Sequence, residues 1–170
     1  MIRIELLTSD NFNPNSLDNY QRKQDVKRVY RKKNGEYVLV KCEYTEDWDL
    51  EKKRSVAEDI SKSDFITYLA FENGELAGFI GLKKELMNSY MILDLMQVSA
   101  EFRRKGIGKA LFEAGKQAAR RSGAVALYIS ACSSEETIAF YREMGAEVTD
   151  SPINEIAEAE PFDLQMVCKI

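Results

Sequence analysis

The stretch Arg103-Arg104-Lys105-Gly106-Ile107-Gly108 decides the fold of this 170-residue chain. It follows an apolar run from Met91 to Val98, which predicts a strand, and it opens an amphipathic run from Ile107 to Arg121, which predicts a helix. Glycines let backbone N–H groups approach a ligand closely, and a helix N-terminus adds free donors with a partial positive charge. A strand, a basic glycine loop and a helix in this order therefore predict a site for a phosphate-bearing ligand.

Two other phosphate-binding loops fit this stretch poorly. In a P-loop, Gly-Lys is followed by Ser or Thr, whereas Ala110 follows Gly108-Lys109 here. A dinucleotide-binding fingerprint has a third glycine at the position that Leu111 occupies. By itself, the hexapeptide leaves open a surface turn with solvated basic side chains.

The context of the loop favours a ligand site over a plain turn. The loop resembles motif A of the GNAT superfamily of acyl-CoA-dependent N-acyltransferases, Gln/Arg-x-x-Gly-x-Gly/Ala, because Arg103, Gly106 and Gly108 fill its three fixed positions. The resemblance runs from about Phe65 to Gly145. It implies that the loop amides hold the pyrophosphate of coenzyme A, in a site formed by Arg103, Arg104, Lys105, Gly106, Ile107, Gly108 and Lys109.

The strand before the loop has a role implied by the same resemblance. In the family this strand splays from its neighbour at a bulge, and its free backbone groups pair with the pantetheine arm. The resemblance assigns this role to Met96, Gln97 and Val98. A strand edge suits a ligand that carries amides of its own. The run is also apolar enough for a plain buried strand, and the two interpretations are compatible.

A second helix is predicted from Ser133 to Gly145. Ser133 and Glu136 have the spacing of a capping box, and Gly145 is a typical stop at the C-terminus. The run before it, Ala124 to Ala131, is nearly all apolar and predicts a buried central strand.

This helix resembles motif B of the family, Asn-x-x-Ala-x-x-Phe-Tyr-x-x-x-Gly-Phe. Phe140, Tyr141 and Gly145 match the pattern, whereas Ser134 replaces Asn and Thr137 replaces Ala. The resemblance implies contacts to the cofactor from Ser134, Thr137 and Phe140. It also implies that Tyr141 protonates the departing coenzyme A thiolate, for which a phenol with a pKa of about 10 is a competent donor. The alternative for Tyr141 is an aromatic at the edge of the core.

The acceptor is expected to be an amine, which must lose a proton before it attacks a thioester. The chain has no histidine, so a carboxylate, directly or through water, is the expected base. Asp94 is the only charged residue of the Met91–Val98 strand, and it lies nine residues before Arg103, where many family members carry Glu or Asp near the acceptor.

Strand alternation predicts Asp94 on the same face as Met96 and Val98. A buried carboxylate there would have a raised pKa, which suits a base. Glu43 or Glu46 could take the role instead, and Asp94 could equally be a carboxylate satisfied by backbone donors or a salt bridge.

Length and composition lead to expectations about the number of domains, bound metals, partners and location. The length predicts a single domain over residues 1–170, which the resemblance implies is an N-acetyltransferase domain. The three widely spaced cysteines and the lack of histidine predict no metal, and a net charge of −4 predicts no nucleic-acid partner. Without a bilayer-length apolar run or a signal-peptide segment, we expect no membrane association and a cytoplasmic location. Homodimers are frequent in the family, so a homodimer is among the assemblies that the resemblance allows.

The remaining patterns predict an α/β fold with a mixed, mostly antiparallel, twisted sheet flanked by helices, as in the GNAT family. Asn34-Gly35 and Asn73-Gly74 predict two hairpin turns. The segment from Leu17 to Lys27 is ambiguous between helix and extended chain. The other predicted elements are an opening strand Ile2–Leu7, a helix Leu50–Lys62 capped by Asp49, and a last strand Leu164–Ile170.

These features together predict an N-acetyltransferase that moves the acetyl group of acetyl-CoA directly to an amine. Two acidic stretches favour a cationic small molecule, such as a polyamine or an amino-bearing antibiotic, by Coulomb and cation–π attraction. They are Glu46-Asp47-Trp48-Asp49 and the segment with Glu155, Glu158, Glu160 and Asp163, which could also be solvated acidic loops. The alternatives are a protein N-terminal or lysine acetyltransferase, a non-catalytic acyl-CoA-binding regulatory module, and a basic-loop RNA-binding protein.

Overall fold

The chain folds around one seven-stranded mixed sheet. A computed structural model describes residues 1–170. In the sheet the strand order is β1-β4-β5-β6-β7-β9-β8, and only the β6–β7 pair is parallel. The elements are β1 (Ile2–Leu6), β2 (Lys23–Lys33), β3 (Glu36–Asp47), α1 (Leu50–Ile60), β4 (Phe65–Glu72), β5 (Glu75–Lys83), β6 (Tyr90–Val98), α2 (Ile107–Arg121), β7 (Ala126–Ala131), α3 (Glu135–Glu143), β8 (Glu147–Val148), α4 (Asn154–Ala159) and β9 (Leu164–Lys169).

The predicted hairpins are both present. Asn34 and Gly35, and likewise Asn73 and Gly74, all have positive φ, between 52° and 82°. Positive φ at both central residues defines the tight turn whose twist matches that of the flanking strands. The first turn joins β2 to β3, which form a separate two-stranded sheet, and the second joins β4 to β5.

Helices cover both faces of the large sheet. On one face α2 buries Leu111 and Phe112 in the main core, which also contains Leu82 and Leu127 from the sheet. On the other face α1 and the turns before β2 enclose a smaller core that includes Tyr20 and Phe79. Asp49 caps α1 as predicted, because its carboxylate accepts from the Lys52 amide at 2.8 Å.

Several local predictions need correction. The cap of α3 is Ser134 rather than Ser133, because the Ser134 hydroxyl accepts from the Thr137 amide. The ambiguous segment Leu17–Lys27 is neither a helix nor wholly extended, since it turns before entering β2 at Lys23. The short α4 and β8 were not predicted. Each has six residues or fewer, too short for a periodic pattern to indicate.

The β2–β3 hairpin lies across the gap that opens between the ends of β6 and β7. At one side Gln21, just before β2, exchanges hydrogen bonds with Ser99 and Ala100 after β6. At the other side the Tyr30 amide donates to the Ser133 carbonyl at 2.8 Å. The hairpin therefore forms one wall of the site described below.

Candidate active site

The site begins where β6 leaves β7. The two strands pair only from Tyr90 to Leu93, whereas β6 stays paired with β5 as far as Val98. The divergence coincides with a bulge, because Leu93 and Leu95 face consecutive residues of β5 and Asp94 is the extra residue between them. A bulge bends its strand, so β6 turns away from β7 and exposes one backbone edge.

Backbone alternation shows which groups lie on that edge. The Ser99 amide donates to the Ala77 carbonyl of the β5 side at 2.8 Å. Since antiparallel bonding alternates along a strand, Gln97 also directs its backbone groups to β5, while those of Met96 and Val98 point into the opening. The expectation that Gln97 offers its backbone to a ligand is therefore not supported. The Val98 carbonyl is already taken by the Arg103 side chain, at 3.2 Å from its Nε.

The glycine loop presents a row of free donors beside this edge. None of the six amides from residue 104 to residue 109 has an acceptor within the protein, and the first bond of α2 is Ala110 N–H to the Gly106 carbonyl. Arg104 and Gly106 both have positive φ, 65° and 84°, which shapes the loop as a concave turn. Six free amides at the positive end of a 15-residue helix suit a phosphate group.

The basic side chains of the loop have different surroundings. Arg104 and Lys109 are exposed, and no carboxylate pairs with either. Lys105 lies 3.8 Å from Glu72. Arg103 instead folds back against β6, where burial and the neighbouring Arg22 lower the pKa of its guanidinium. The Arg103 side chain therefore lies against β6 near Arg22 and Tyr20, and its amide donates to the Ala100 carbonyl, so neither belongs with the free loop amides.

The second helix packs against the start of α2. The Phe140 ring lies edge-on to Phe112, with 6.3 Å between the ring centroids. A side chain at Gly108 would place its Cβ 3.3 Å from the Phe140 ring, so this glycine permits the two helices to approach. Thr137 is half-buried, whereas Ser134 is fully buried and its hydroxyl bonds Thr137 and Gln24. Ser134 therefore has no group free for a cofactor contact.

Tyr141 lies in the wall of the opening. It is 8% exposed, and its hydroxyl takes part in none of the protein's side-chain hydrogen bonds. Burial raises its pKa above the ordinary value of 10, and the neighbouring Cys132 and Asp163 raise the pKa further. Tyr141 is therefore a neutral, protonated phenol at ordinary pH.

The carboxylate of Asp163 is a neighbour of Tyr141, and that of Glu46 is a neighbour of Asp163. Burial raises the pKa of Asp163, an effect that a 2.9 Å hydrogen bond from the Ser130 hydroxyl opposes and that Glu160 and Glu46 reinforce. Glu46, from β3 of the hairpin, accepts from Arg22 at 2.8 Å.

A second tyrosine completes this group of neighbours. Burial raises the pKa of Tyr44 to about 12, with further contributions from Cys132 and Glu46. Tyr44, Glu46, Cys132, Tyr141 and Asp163 are thus linked in a series of neighbouring pairs, although they come from four separate parts of the chain. Glu46 and Asp163 stood among the acidic residues noticed in the sequence, but nothing in the sequence placed them next to Tyr141.

Asp94 lies elsewhere than strand alternation predicts. The bulge puts it on the face of the sheet opposite Met96 and Val98, which pack against the main core, and beside Leu95, which packs against the smaller one. Its side chain is exposed rather than buried. Partial desolvation of the carboxylate by the residues around it nevertheless raises the pKa of Asp94. The positive charge of Lys83 lowers this pKa, and the carboxylates of Asp59 and Asp64 raise it.

Neither a metal-binding cluster nor a membrane-spanning helix is present. No group of three or more His, Cys, Asp or Glu side chains is arranged to hold a metal ion. None of the helices combines the length and apolar character needed to cross a membrane.

Comparison with known proteins decides the family. The family model described as Acetyltransferase (GNAT) family matches residues 33–146. The chain belongs to the GNAT acetyltransferases. The match covers more than half of the chain and includes both stretches that resemble motifs A and B of the family. It confirms the predicted family, fold class and enzyme class.

Solved structures share the fold of this acetyltransferase along its whole length. A Bacillus anthracis str. Ames protein assigned as a streptothricin acetyltransferase, in complex with acetyl coenzyme A, has a TM-score of 0.76 at 20% identity, covering 100% of this chain and 99% of that one. Nourseothricin acetyltransferase has a TM-score of 0.75 at 19% identity, over 99% and 98% of the two chains. The ribosomal-protein-S18-alanine N-acetyltransferase from Escherichia coli has a TM-score of 0.62 at 14% identity, over 100% and 94%. No curated protein sequence matches this acetyltransferase significantly.

Proposed function

We propose that this acetyltransferase transfers the acetyl group of acetyl-CoA directly to an amine bound between Glu46, Asp163 and Tyr141. One observation carries the proposal: a protonated tyrosine and a carboxylate of raised pKa are neighbours, and the tyrosine follows Phe140, whose ring packs against Gly108 of the loop with the free amides. The surroundings of Tyr141 keep it protonated, and those of Asp163 favour the uptake of a proton. Two such groups side by side form a general acid and a general base.

Acetyl-CoA, the acyl donor of the family, fits the residues present. The six free amides of residues 104–109 suit its pyrophosphate, and exposed Arg104 and Lys109 add positive charge. The Met96 backbone and the Val98 amide, on the free edge of β6, suit the amides of its pantetheine arm. Bound acetyl-CoA supplies the acetyl group as a thioester, which an amine attacks without a covalent enzyme intermediate.

In this proposal Tyr141 delivers its proton to the departing sulfur. Its hydroxyl is uncommitted, and it is protonated across the working pH range because its pKa lies above the ordinary value. Asp163 takes a proton from the bound ammonium group, directly or through water, and the neutral amine that results attacks the thioester carbonyl. A raised pKa brings a carboxylate closer to the pH at which it must accept a proton. Asp94 remains a second candidate for this role.

The surroundings of Tyr141 also support a cationic acceptor. Glu46 and Asp163 place two carboxylates at one end of the opening, and Tyr44 adds an aromatic ring. An ammonium ion is attracted to such a group by its charges and by the ring face. Amino-bearing antibiotics of the kinds named for two of the similar structures are one class of such acceptors, and small free amines are another.

The test is acetyl-CoA turnover, followed as free thiol release, against a panel of small amines and amino-bearing antibiotics. We expect amine-dependent release that falls by about 10²-fold or more in Tyr141→Phe, as for loss of a general acid. Tyr37→Phe, near the tip of the β2–β3 hairpin, is the matched control and should keep full activity. Tight acetyl-CoA binding with no turnover of any amine would favour the non-catalytic module instead.

A further inference from the structure

A buried arginine beside the proposed amine site has more donors than partners. Arg22 is 4% exposed, and its Nη2 lies 2.8 Å from a carboxylate oxygen of Glu46. Its Nε and Nη1 are buried and have no hydrogen-bond partner. A guanidinium presents its donors in a planar fork that matches two oxygens at once, and leaving buried donors unpaired is unfavourable.

A second unpaired donor lies next to the first. The Tyr20 hydroxyl is buried without a partner, and burial keeps it protonated by raising its pKa. The half-buried Trp48 ring covers both residues: its centroid lies 6.5 Å from that of Tyr20 and 5.6 Å from the guanidinium carbon of Arg22. Arg22 and Tyr20 thus have three buried donor groups without partners, all on residues that lie against the Trp48 ring.

The charge of this place selects an anion. The charges of Arg22 and Arg103 both lower the pKa of Tyr20, and Arg22 also lowers the pKa of Arg103, so the three side chains lie close together. Glu46 is the one carboxylate that forms a salt bridge with either arginine. Two guanidiniums and one carboxylate leave an excess of one positive charge. A carboxylate supplies one negative charge together with oxygens for the unpaired donors.

The two sites adjoin at Glu46. The same side chain bonds Arg22 and lies next to Asp163 and Tyr44 in the proposed amine site. A ligand that fills both must therefore carry its amino group and its carboxylate only a few bonds apart. A polyamine has no acceptor atom for Arg22 and Tyr20 once its amines are protonated.

We infer that the acceptor is an amino acid, or a molecule with a free amino-acid unit, whose carboxylate binds to Arg22 and Tyr20 beneath Trp48. This inference rests on the proposed function and narrows its acceptor class. The amino group of that unit lies at Glu46 and Asp163, and Trp48 moves aside to admit the carboxylate.

The test compares matched pairs of amines that differ only by the carboxylate: lysine and cadaverine, phenylalanine and phenethylamine, and β-alanine and ethylamine. We expect kcat/KM to be at least about 10-fold higher for the amino acid of the best pair, as for one charge-assisted contact. Lysinamide, which keeps the carbonyl but lacks the charge, should behave like cadaverine. In Tyr20→Phe and Arg22→Gln the ratio within each pair should collapse, and Tyr37→Phe should keep it.

Binding has a readout that needs no turnover, because Trp48 is the only tryptophan. Titration with the amino acid of the best pair should change Trp48 fluorescence, and Tyr20→Phe should weaken that response. This variant removes an unpaired buried hydroxyl and keeps the ring, so it should fold normally.

Several outcomes would overturn the inference. Equal kcat/KM within every pair, equal use of lysine and lysinamide, or an equal loss for all amines in Arg22→Gln would each do so, the last by reducing Arg22 to a residue that positions Glu46. If no amine is acetylated, the proposed function fails. The inferred carboxylate site then stands or falls on whether amino acids up to their solubility limits change the fluorescence of Trp48.

Discussion

At the scale of single residues, two carboxylates compete for the role of base, and their surroundings differ. Asp163 is half-buried and is a neighbour of Tyr141, whereas Asp94 is exposed and has Lys83, Asp59 and Asp64 as its charged neighbours. Both have a raised pKa, mainly through burial. The geometry therefore favours Asp163, and only substitution separates the two.

We expect Asp163→Asn to lower kcat by about 10²-fold or more, because a general base contributes about that much. In the unsubstituted enzyme the acid limb of the pH–rate profile should lie above the ordinary aspartate pKa of 3.8, and it should be lost from the residual activity of the variant. Asp94→Asn is the matched comparison. If Asp94→Asn alone removes the limb, the base is Asp94 and the assignment to Asp163 is wrong.

The same substitution should stabilise the fold at neutral pH. The pKa of Asp163 is raised in the folded state, so folding disfavours its ionised form. That penalty is absent below the unfolded pKa, grows as pH rises through the folded pKa, and is fully present above it. Asp163→Asn should therefore raise Tm at pH 8, with the gain disappearing toward pH 4. A lower Tm at pH 8 would show that the carboxylate stabilises the fold instead.

At the scale of elements, the loop before α2 depends on a backbone conformation that only glycine adopts without strain. Gly106 has a φ of 84°, and a Cβ there would meet no atom within 4 Å. Gly35, at the tip of the β2–β3 hairpin, has a φ of 82° and equally open space. The two glycines thus share the same backbone conformation and open surroundings, and they differ in that only Gly106 belongs to the proposed cofactor-binding loop.

We expect Gly106→Ala and Gly35→Ala to cost similar stability, about 1–2 kcal/mol each, because both force a side chain into the left-handed region. Only Gly106→Ala should also raise the KM for acetyl-CoA, by about 10-fold, since relaxation of its φ turns the loop amides away from the ligand. The checks are thermal unfolding and acetyl-CoA titration. A KM for acetyl-CoA that rises equally in both variants would contradict the assigned role of the loop.

At the scale of the whole molecule, the free donors of the site should be distinguishable from the paired donors of the sheet. The amides of residues 104–109 have no acceptor in the protein, whereas β5 is paired on both sides and buried along most of its length. Amide hydrogen exchange reports this difference, because paired amides in the core exchange only through opening of the structure.

We expect the amides of residues 104–109 to exchange rapidly in the free protein and to slow markedly when acetyl-CoA is added. Protection of β5 should change little, which provides an internal control. The amide of Val98 should gain protection together with the loop if the pantetheine arm pairs with the edge of β6. Slowing that is spread evenly over the sheet would instead indicate general stabilisation by the ligand.

Local chemistry along the chain was sufficient to predict most of the framework. Positive-φ turns at Asn-Gly pairs, the cap at Asp49 and the amphipathic period of α2 each depend on residues close in sequence, so each could be predicted without a fold. The strand, loop and helix around Gly106 belong to the same class. Their spacing alone indicated a phosphate site and, through its resemblance to motif A, the family.

Only the tertiary structure determined the arrangement of three sets of residues. These are Tyr141, proposed as the acid, the two candidate bases Asp163 and Asp94, and the unpaired donors of Arg22 and Tyr20. One bulge reversed the face on which Asp94 lies, because an extra residue shifts the alternation of every position beyond it. The group around Tyr141 joins residues from the β2–β3 hairpin, the end of β7, α3 and the start of β9. Strand pairing and the position of the hairpin across the gap beside β6 bring these residues together. Such long-range contacts produce no periodic pattern in the sequence, so they could not be predicted from it. The phosphate site could therefore be predicted from residues close in sequence, whereas the proposed acceptor site depends on residues that only the folded chain brings together.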